Sequence, residues 1–500
     1  MGSRRRAAWS TMVGGLANIG VLSLQTLLLV PLFLRYIPGK IFGAWLAAGD
    51  LLVWLQVFDL GLPNLMIQRV GEAQAKGNRE RVVAWFQACF LILFTLSLLL
   101  LLAVTWLSVR VPYWLHLDEQ VRVEITKAMW LAGVAAAGTM VSNAAVGFAR
   151  GVQDTKLIST VSTISMVVGA LVTICLVISG LGVMSIAMGM AVRAFIILAG
   201  GYVFLKRHNI LEEPLRLRKD CLIEASHTVP IMAVGMIGFM LANQGELLLI
   251  GKFLSTELAI VFMLTRKLAD LARSLVDSVT WSLFGGIAHL VASSERTRFW
   301  AIFQDITLLR RAVAVYLAAF YVVLNPIFVQ VWAGKNKFGG CQLSFLVAVQ
   351  LIVASDSFFM NYVYKAMGAL KLTSLTLLLE GGGRVALALY LIPVFGLAAI
   401  PISAIIVATI FSIAQYHMIR AQFKDQSGKP LEIYVFIMFV CIMSVAGLTT
   451  LLYGLVSVAV YLGIAGIFIL GGLVMTYFAF RGHPSLTTLF PGWSRKMVKQ

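Results

Sequence analysis

Long blocks of apolar residues fill this chain, separated by short polar intervals that carry most of its charge. A helix rises 1.5 Å per residue, so roughly 20 apolar residues are enough to cross about 30 Å of hydrocarbon. By that measure the pattern predicts about fourteen spanning helices, near 8–34, 41–64, 83–108, 128–148, 158–179, 183–204, 228–250, 257–284, 312–332, 341–364, 373–393, 397–419, 432–453 and 456–480. The expected fold is an all-α polytopic membrane protein. The first block follows a basic start, but it is long and lacks a small-residue cleavage pattern, so it is expected to remain as a span.

Composition strengthens this reading. With 60% hydrophobic and 12% charged residues and a mean hydropathy of +0.91, the chain is too apolar for a water-soluble protein of this length. The net charge of +18 invites a nucleic-acid partner, but its placement argues otherwise. With Arg4, Arg5 and Arg6 inside, 27 of the 40 Lys and Arg fall in cytosolic segments and 8 in external ones, the positive-inside pattern. Both termini are therefore expected in the cytosol. The clusters Arg69/Lys76/Arg79/Arg81 and Lys206/Arg207/Arg216/Arg218/Lys219 then lie where anionic lipid headgroups attract them, and no nucleic-acid partner is expected.

The intervals between spans leave no room for a soluble catalytic domain, and no phosphate-binding Gly-rich loop occurs, so ATP hydrolysis is not expected. The five cysteines stand far apart without disulfide or zinc spacing, and the six histidines are scattered. No cofactor, no metal and no enzymatic activity are expected.

The chain also resembles itself. LLLVPLFL (27–34) matches LLLIGKFL (247–254); Arg150, Lys156, Leu157 and Ser159 match Lys365, Lys371, Leu372 and Ser374; GLG (180–182) matches GLA (396–398). Nearly constant offsets indicate a repeat of about six spans, and an even number makes the copies parallel. The expected organisation is an N-lobe over 1–205, a cytosolic linker over 206–227, a C-lobe over 228–425 and two extra helices with a cytosolic tail over 426–500.

Charges inside apolar blocks carry the candidate chemistry. Arg266, Asp270, Arg273 and Asp277 stand at i, i+4, i+7 and i+11, one stripe of one helix, with Lys267 about 100° round from Arg266. A charge facing lipid costs several kcal/mol, so the stripe needs water or polar protein groups beside it. Two readings stand: a cationic site for an anionic substrate, or two local i,i+4 pairs that only neutralise the helix. Glu380 and Arg384 repeat the i,i+4 spacing around Gly381, Gly382 and Gly383, as a packing pair or a second site. Asp50 lies deep in the second span, and under the repeat its segment corresponds to that of the stripe. Asp59, before Gly61 and Pro63, reads as a helix-end turn. Arg193, Glu246 and Asp356 are isolated. Among the carboxylates, Asp50, Glu246, Asp270, Asp356 and Glu380 are candidates for carrying a coupling ion.

The stretches YIPGKIFGAWLAAGDLLVWLQVFDLGLPNLMIQRVGEAQAKGN (36–78), FARGVQDTKLIS (148–159) and NPIFVQVWAGKNKFGG (325–340) resemble the bacterial polysaccharide flippases of the O-antigen (Wzx) type, in the multidrug/oligosaccharidyl-lipid/polysaccharide exporter superfamily. The resemblance covers essentially the whole chain. It implies two pseudo-symmetric six-helix lobes in a V around a partly cationic cavity, plus two C-terminal helices. The implied activity is movement of an undecaprenyl-diphosphate-linked oligosaccharide from the cytosolic to the periplasmic leaflet of the bacterial inner membrane. A polysaccharide polymerase or chain-length regulator is then a candidate partner. Because the family's cavity is lined mainly by the first two helices of each lobe, the resemblance places Asp50, Arg266, Lys267, Asp270, Arg273 and Asp277 on it, with Arg384 as a further candidate. Arg35 stands only at the outer end of the first span, and the several arginines that lipid II flippases carry there are missing, which makes lipid II the less expected substrate. The competing functions are a cation-coupled drug exporter of the same superfamily, which predicts an acidic, aromatic cavity, and a membrane-embedded O-antigen ligase or polymerase, which predicts a large external loop.

Overall fold

The computed structural model describes residues 25, 27–54, 59–214, 218–292, 296–367, 369–421 and 463. Among these the chain is helical, with no strand. The helices are α1 (Leu27–Tyr36), α2 (Gly39–Trp54), α3 (Leu62–Ala75), α4 (Arg79–Trp114), α5 (Glu119–Gly151), α6 (Lys156–Ile178), α7 (Met184–Arg207), α8 (Lys219–Asn243), α9 (Glu246–Phe253), α10 (Thr256–Ala292), α11 (Arg296–Ala333), α12 (Cys341–Ala366), α13 (Leu370–Phe395) and α14 (Ala399–Ala421). Eight of the helical stretches among the described residues are long and apolar enough to cross a membrane. The chain is an all-α, multi-pass membrane protein. The expected spans at 432–453 and 456–480 lie outside the described residues, apart from residue 463.

Helices begin and end where local chemistry allows rather than where hydropathy stops. α4 starts at Arg79, ahead of its apolar run, because Asn78 accepts a hydrogen bond from the Arg81 backbone N–H at 2.9 Å and so satisfies an otherwise unpaired donor. α3 forms in a stretch too polar to read as a span. Asp59 accepts the Gly61 N–H at 2.9 Å, Gly61 takes a φ of 74°, and Pro63 stands in the first turn. Leu62, Leu65, Met66, Val70 and Ala73 then fall on one buried face against α4 and α5.

The span expected at 228–250 is two helices. Gln244 is extended and Gly245 has a φ of 103°, a conformation that a β-carbon would strain, so α8 ends at Asn243 and α9 restarts at Glu246.

The described residues form two compact units. One holds α1 to α9, the beginning of α10, and α13; the other holds the remainder of α10 with α11, α12 and α14. In the first unit α8 packs along α13. Gly238 and Gly381 permit that approach, since a β-carbon on Gly238 would collide with the backbone at Leu377 and Leu378, and one on Gly381 with the Gly238 carbonyl. The polar stretch after α7 is tied to the same unit: Arg79 donates to the His208 carbonyl at 3.1 Å and pairs with Glu213 at 3.2 Å, while Gln87 donates to the Pro214 carbonyl at 2.9 Å. In the second unit an aromatic floor of Phe299, Trp300, Phe303, Phe359 and Tyr364 packs α11, α12 and α14 together.

Candidate functional site

A polar network runs through the second unit, and the α10 stripe is one wall of it. Both i,i+4 pairs form, Arg266 Nε to Asp270 Oδ2 at 3.1 Å and Arg273 Nε to Asp277 Oδ2 at 3.3 Å. The side chains keep part of their surface open: 21% for Arg266, 41% for Asp270, 23% for Arg273 and 14% for Asp277. Lys267 is partly buried. A helix that merely neutralised its own charges would have no need of further partners, but this one has them.

Arg310 and Arg311 supply them from α11. Arg310 is sealed, 2% exposed, and donates to the Ser355 carbonyl of α12 at 2.7 Å. Its guanidinium carbon stands 4.3 Å from the centre of the Phe359 ring, a cation–π contact, and one of its nitrogens lies 3.8 Å from Asp277 Oδ1. Arg311 grips Asp356 of α12 with both arms of its fork, at 2.9 and 2.8 Å, and Ser412 of α14 donates to the same carboxylate at 2.7 Å. Planar two-point pairing of this kind is the strong form of a charged hydrogen bond.

Neutral hydrogen bonds hold the frame. The Thr265 carbonyl accepts from Tyr321 Oη at 2.8 Å and Asn325 Nδ2 at 3.0 Å, and Thr265 Oγ1 accepts the Gly339 N–H at 2.9 Å. At the residue directly before the stripe, α10 is thus pinned to α11 and to the connection into α12. Further along, Gln415 of α14 donates to Asn361 Oδ1 of α12 at 2.8 Å. Asn325 and Gln415 are completely buried, and these bonds satisfy their amide N–H groups.

The charges do not cancel. Among the described residues, Arg266, Arg273, Arg310 and Arg311 pair with or approach Asp270, Asp277 and Asp356, and Lys267 stands near Asp270, so the cations of this cluster outnumber its carboxylates. Such a cluster is suited to an anion, above all one with several oxygens that accept forked hydrogen bonds.

The other residues singled out from the sequence are placed elsewhere. Glu380 and Arg384 form a buried ion pair on α13, and Arg384 Nη1 also donates to the Ala242 carbonyl at 2.8 Å, near the end of α8. That carbonyl is one a helix end leaves unpaired, so Arg384 caps α8 just before the chain breaks. Glu246 opens α9, directly after the break. Asp356, isolated in the sequence, is the partner of Arg311. Arg193 is exposed on α7, and the Asp50 side chain lies outside what the structure describes.

Sequence reasoning missed Arg310 and Arg311. The ninth apolar run starts at Ala312, so both were counted with the cytosolic cations; in the structure they lie inside α11, within a stretch long and apolar enough to span from Ile302 to Ala333. Their available signal was position, since two arginines abutting an apolar run within a longer helix fall inside the span's reach.

Comparison with known proteins supports the architecture. The MatE family model matches residues 28–175. Among solved structures, an inward-facing multidrug resistance MATE family transporter of the MOP superfamily, as the exporter superfamily is abbreviated, superposes with a TM-score of 0.66 at 13% identity, over 83% of this chain and 100% of that one. The lipid II flippase MurJ, in an inward closed conformation, superposes with a TM-score of 0.65 at 11% identity, over 94% of this chain and 99% of that one. A MOP superfamily transporter from Pyrococcus furiosus, described as having a binding pocket of reverse polarity, gives a TM-score of 0.61 at 11% identity, over 84% and 96%. No curated protein matches the chain significantly. The chain has the fold that these MOP transporters share.

Proposed function

We propose that this protein is a flippase for a lipid-linked oligosaccharide, moving an undecaprenyl-diphosphate-linked repeat unit across the bacterial inner membrane toward the periplasm. The observation that carries the reading is the excess of guanidinium groups in the network of α10, α11 and α12. A diphosphate is a compact anion rich in acceptor oxygens, and arginine is its natural partner. The sugar needs a polar route, while the polyprenyl tail stays in lipid. The match to a lipid II flippase over 94% of the chain is in keeping with a lipid-borne cargo. Two lobes over 1–205 and 228–425, Asp50 as a candidate residue for ion coupling, and cytosolic termini complete the proposal; a reporter fused after Gln500 tests the last by reading cytosol or periplasm.

A second reading has its own observation. The MatE match and the MATE exporter superposition favour an ion-coupled exporter of small molecules. For a cationic cargo, the surplus of cations in this network is unfavourable by like-charge repulsion.

One experiment separates the two. The purified protein is placed in vesicles holding a fluorescent polyprenyl-diphosphate oligosaccharide, and sugar reaching the other leaflet is measured. The wild type should move it, Arg273→Ala should slow it at least about tenfold, the order expected from losing a charge-assisted pair, and Arg273→Lys should recover part of the rate. Movement no faster than in empty vesicles, together with gradient-driven efflux of a cationic dye, would establish the exporter instead.

A further inference from the structure

Two carboxylates in the network are held very differently. Asp356 has three charged or hydroxyl donors at 2.7 to 2.9 Å, and Arg311 meets it with a matched fork. Asp277 stands 3.3 Å from Arg273 and 3.8 Å from Arg310, beyond the 2.7–2.9 Å range usual for such pairs. Its Oδ1 is buried, and Arg310 approaches it no closer than 3.8 Å. The buried Arg310 Nε makes no hydrogen bond among the described residues, although Arg310 is bonded to the Ser355 carbonyl and neighbours Asp277, whose carboxylate has the Ser355 side chain beside it. A buried carboxylate oxygen and a buried guanidinium therefore meet in one place without bonding each other closely. Buried groups in that condition are costly, and a place where they coincide is shaped for something that would satisfy them.

We propose that Asp277 is a stand-in anion, occupying the position that an oxyanion of the cargo takes between Arg273 and Arg310. This rests on the reading that the α10 stripe receives an anionic cargo. Asp277 is placed for the role: Arg310 is sealed behind it, whereas Arg273 and Asp277 itself keep 23% and 14% of their surface. An arriving phosphate reaches Arg273 first and gains Arg310 only by moving the carboxylate aside. A tetrahedral phosphate offers acceptors in several directions and suits donors from α10, α11 and α12 together. A carboxylate fixed to α10 offers only two oxygens, and it stands 3.3 Å from Arg273 and 3.8 Å from Arg310. In exchange, Asp277 joins Asp356 in balancing the buried charge of Arg310 when no cargo is present. It also competes with the cargo and so favours release.

The inference makes a prediction of unusual sign, in which removing a carboxylate strengthens anion binding. The test measures inorganic diphosphate binding to the purified full-length protein in lipid nanodiscs by calorimetry. Asp277→Asn should tighten binding at least about tenfold, as expected when a competing like charge leaves a site. Asp277→Glu, whose longer side chain reaches Arg310 more directly, should weaken it below wild type. Asp356→Asn should not tighten it. Unchanged or weaker binding in a folded Asp277→Asn protein, tighter binding in Asp277→Glu, or no diphosphate binding in any variant overturns the proposal. The functional reading fails separately. Wild-type movement of the lipid-linked sugar with no tightening in Asp277→Asn sinks only the stand-in role, and tightening without movement sinks only the flippase.

Discussion

Glu380–Arg384 on α13 and Arg273–Asp277 on α10 share a spacing of four residues, and in each an arginine meets a carboxylate one helical turn away. Their surroundings separate them. The α13 pair is almost completely enclosed, with 2% and 7% of the two side chains exposed, beside a glycine-mediated contact with α8, and Arg384 spends a further hydrogen bond on the end of that helix. The α10 pair is partly open, loosely bonded, and joined by an arginine from α11. A motif that looks the same in sequence is a staple in one place and a candidate binding surface in the other. The surrounding helices decide which.

The comparison breaks most readily at the staple. Glu380→Ala leaves a buried guanidinium without its carboxylate, and losing one member of such a pair costs about 3–5 kcal/mol. Thermal unfolding in detergent should therefore begin much earlier, with a visible loss of expressed protein. The double variant Glu380→Leu with Arg384→Met removes both charges and should recover most of that loss. An unchanged unfolding midpoint in Glu380→Ala would show that the pair does not clamp α13 to α8.

Asp356 comes next in size. Asp356→Asn removes the charge that Arg311 and Ser412 converge on, but Arg311 keeps 26% of its surface and can turn toward water, so the expected cost is about 1–3 kcal/mol. A loss as large as that of Glu380→Ala would mean that the α11–α12–α14 joint is as closed as the α8–α13 contact.

The difference between staple and site was only partly legible in the chain. The succession of spans was readable because hydrophobic blocks of membrane length are hard to mistake, and the helices found at α4 to α7 and at α10 to α14 fall where the blocks predict. The break between α8 and α9 had a signal in Gln244–Gly245, a polar residue and a glycine inside an apolar run. α3 had one in its amphipathic spacing, but it scored as a polar interval because hydropathy averages over both faces of a helix. The stripe on α10 was visible as periodicity within one helix. Its partners were not: Arg311 and Asp356 are 45 residues apart and meet only because α11 and α12 pack together. Burial was equally hidden, because nothing within four residues of Glu380 says that α8 covers it while Asp277 stays partly open.

The smallest expected effect on stability falls at the outer pair of the stripe, and there the comparison is sharpest. Arg266 and Asp270 are 21% and 41% exposed, and partly open pairs of that kind contribute at most about 1 kcal/mol. Replacing both, Arg266→Met with Asp270→Leu, should leave thermal unfolding nearly unchanged, because no unpaired charge is created. Transport should still fall sharply, since the surface has lost one of the cations that an arriving phosphate meets. Stability and transport are thus expected to part company at this pair, whereas at Glu380 they fall together. Surface polysaccharide measured in cells that carry the double variant, at matched protein level, reads the outcome. Normal polysaccharide would make Arg266–Asp270 a self-neutralising pair like the one on α13, and would confine the binding surface to Arg273, Asp277 and Arg310.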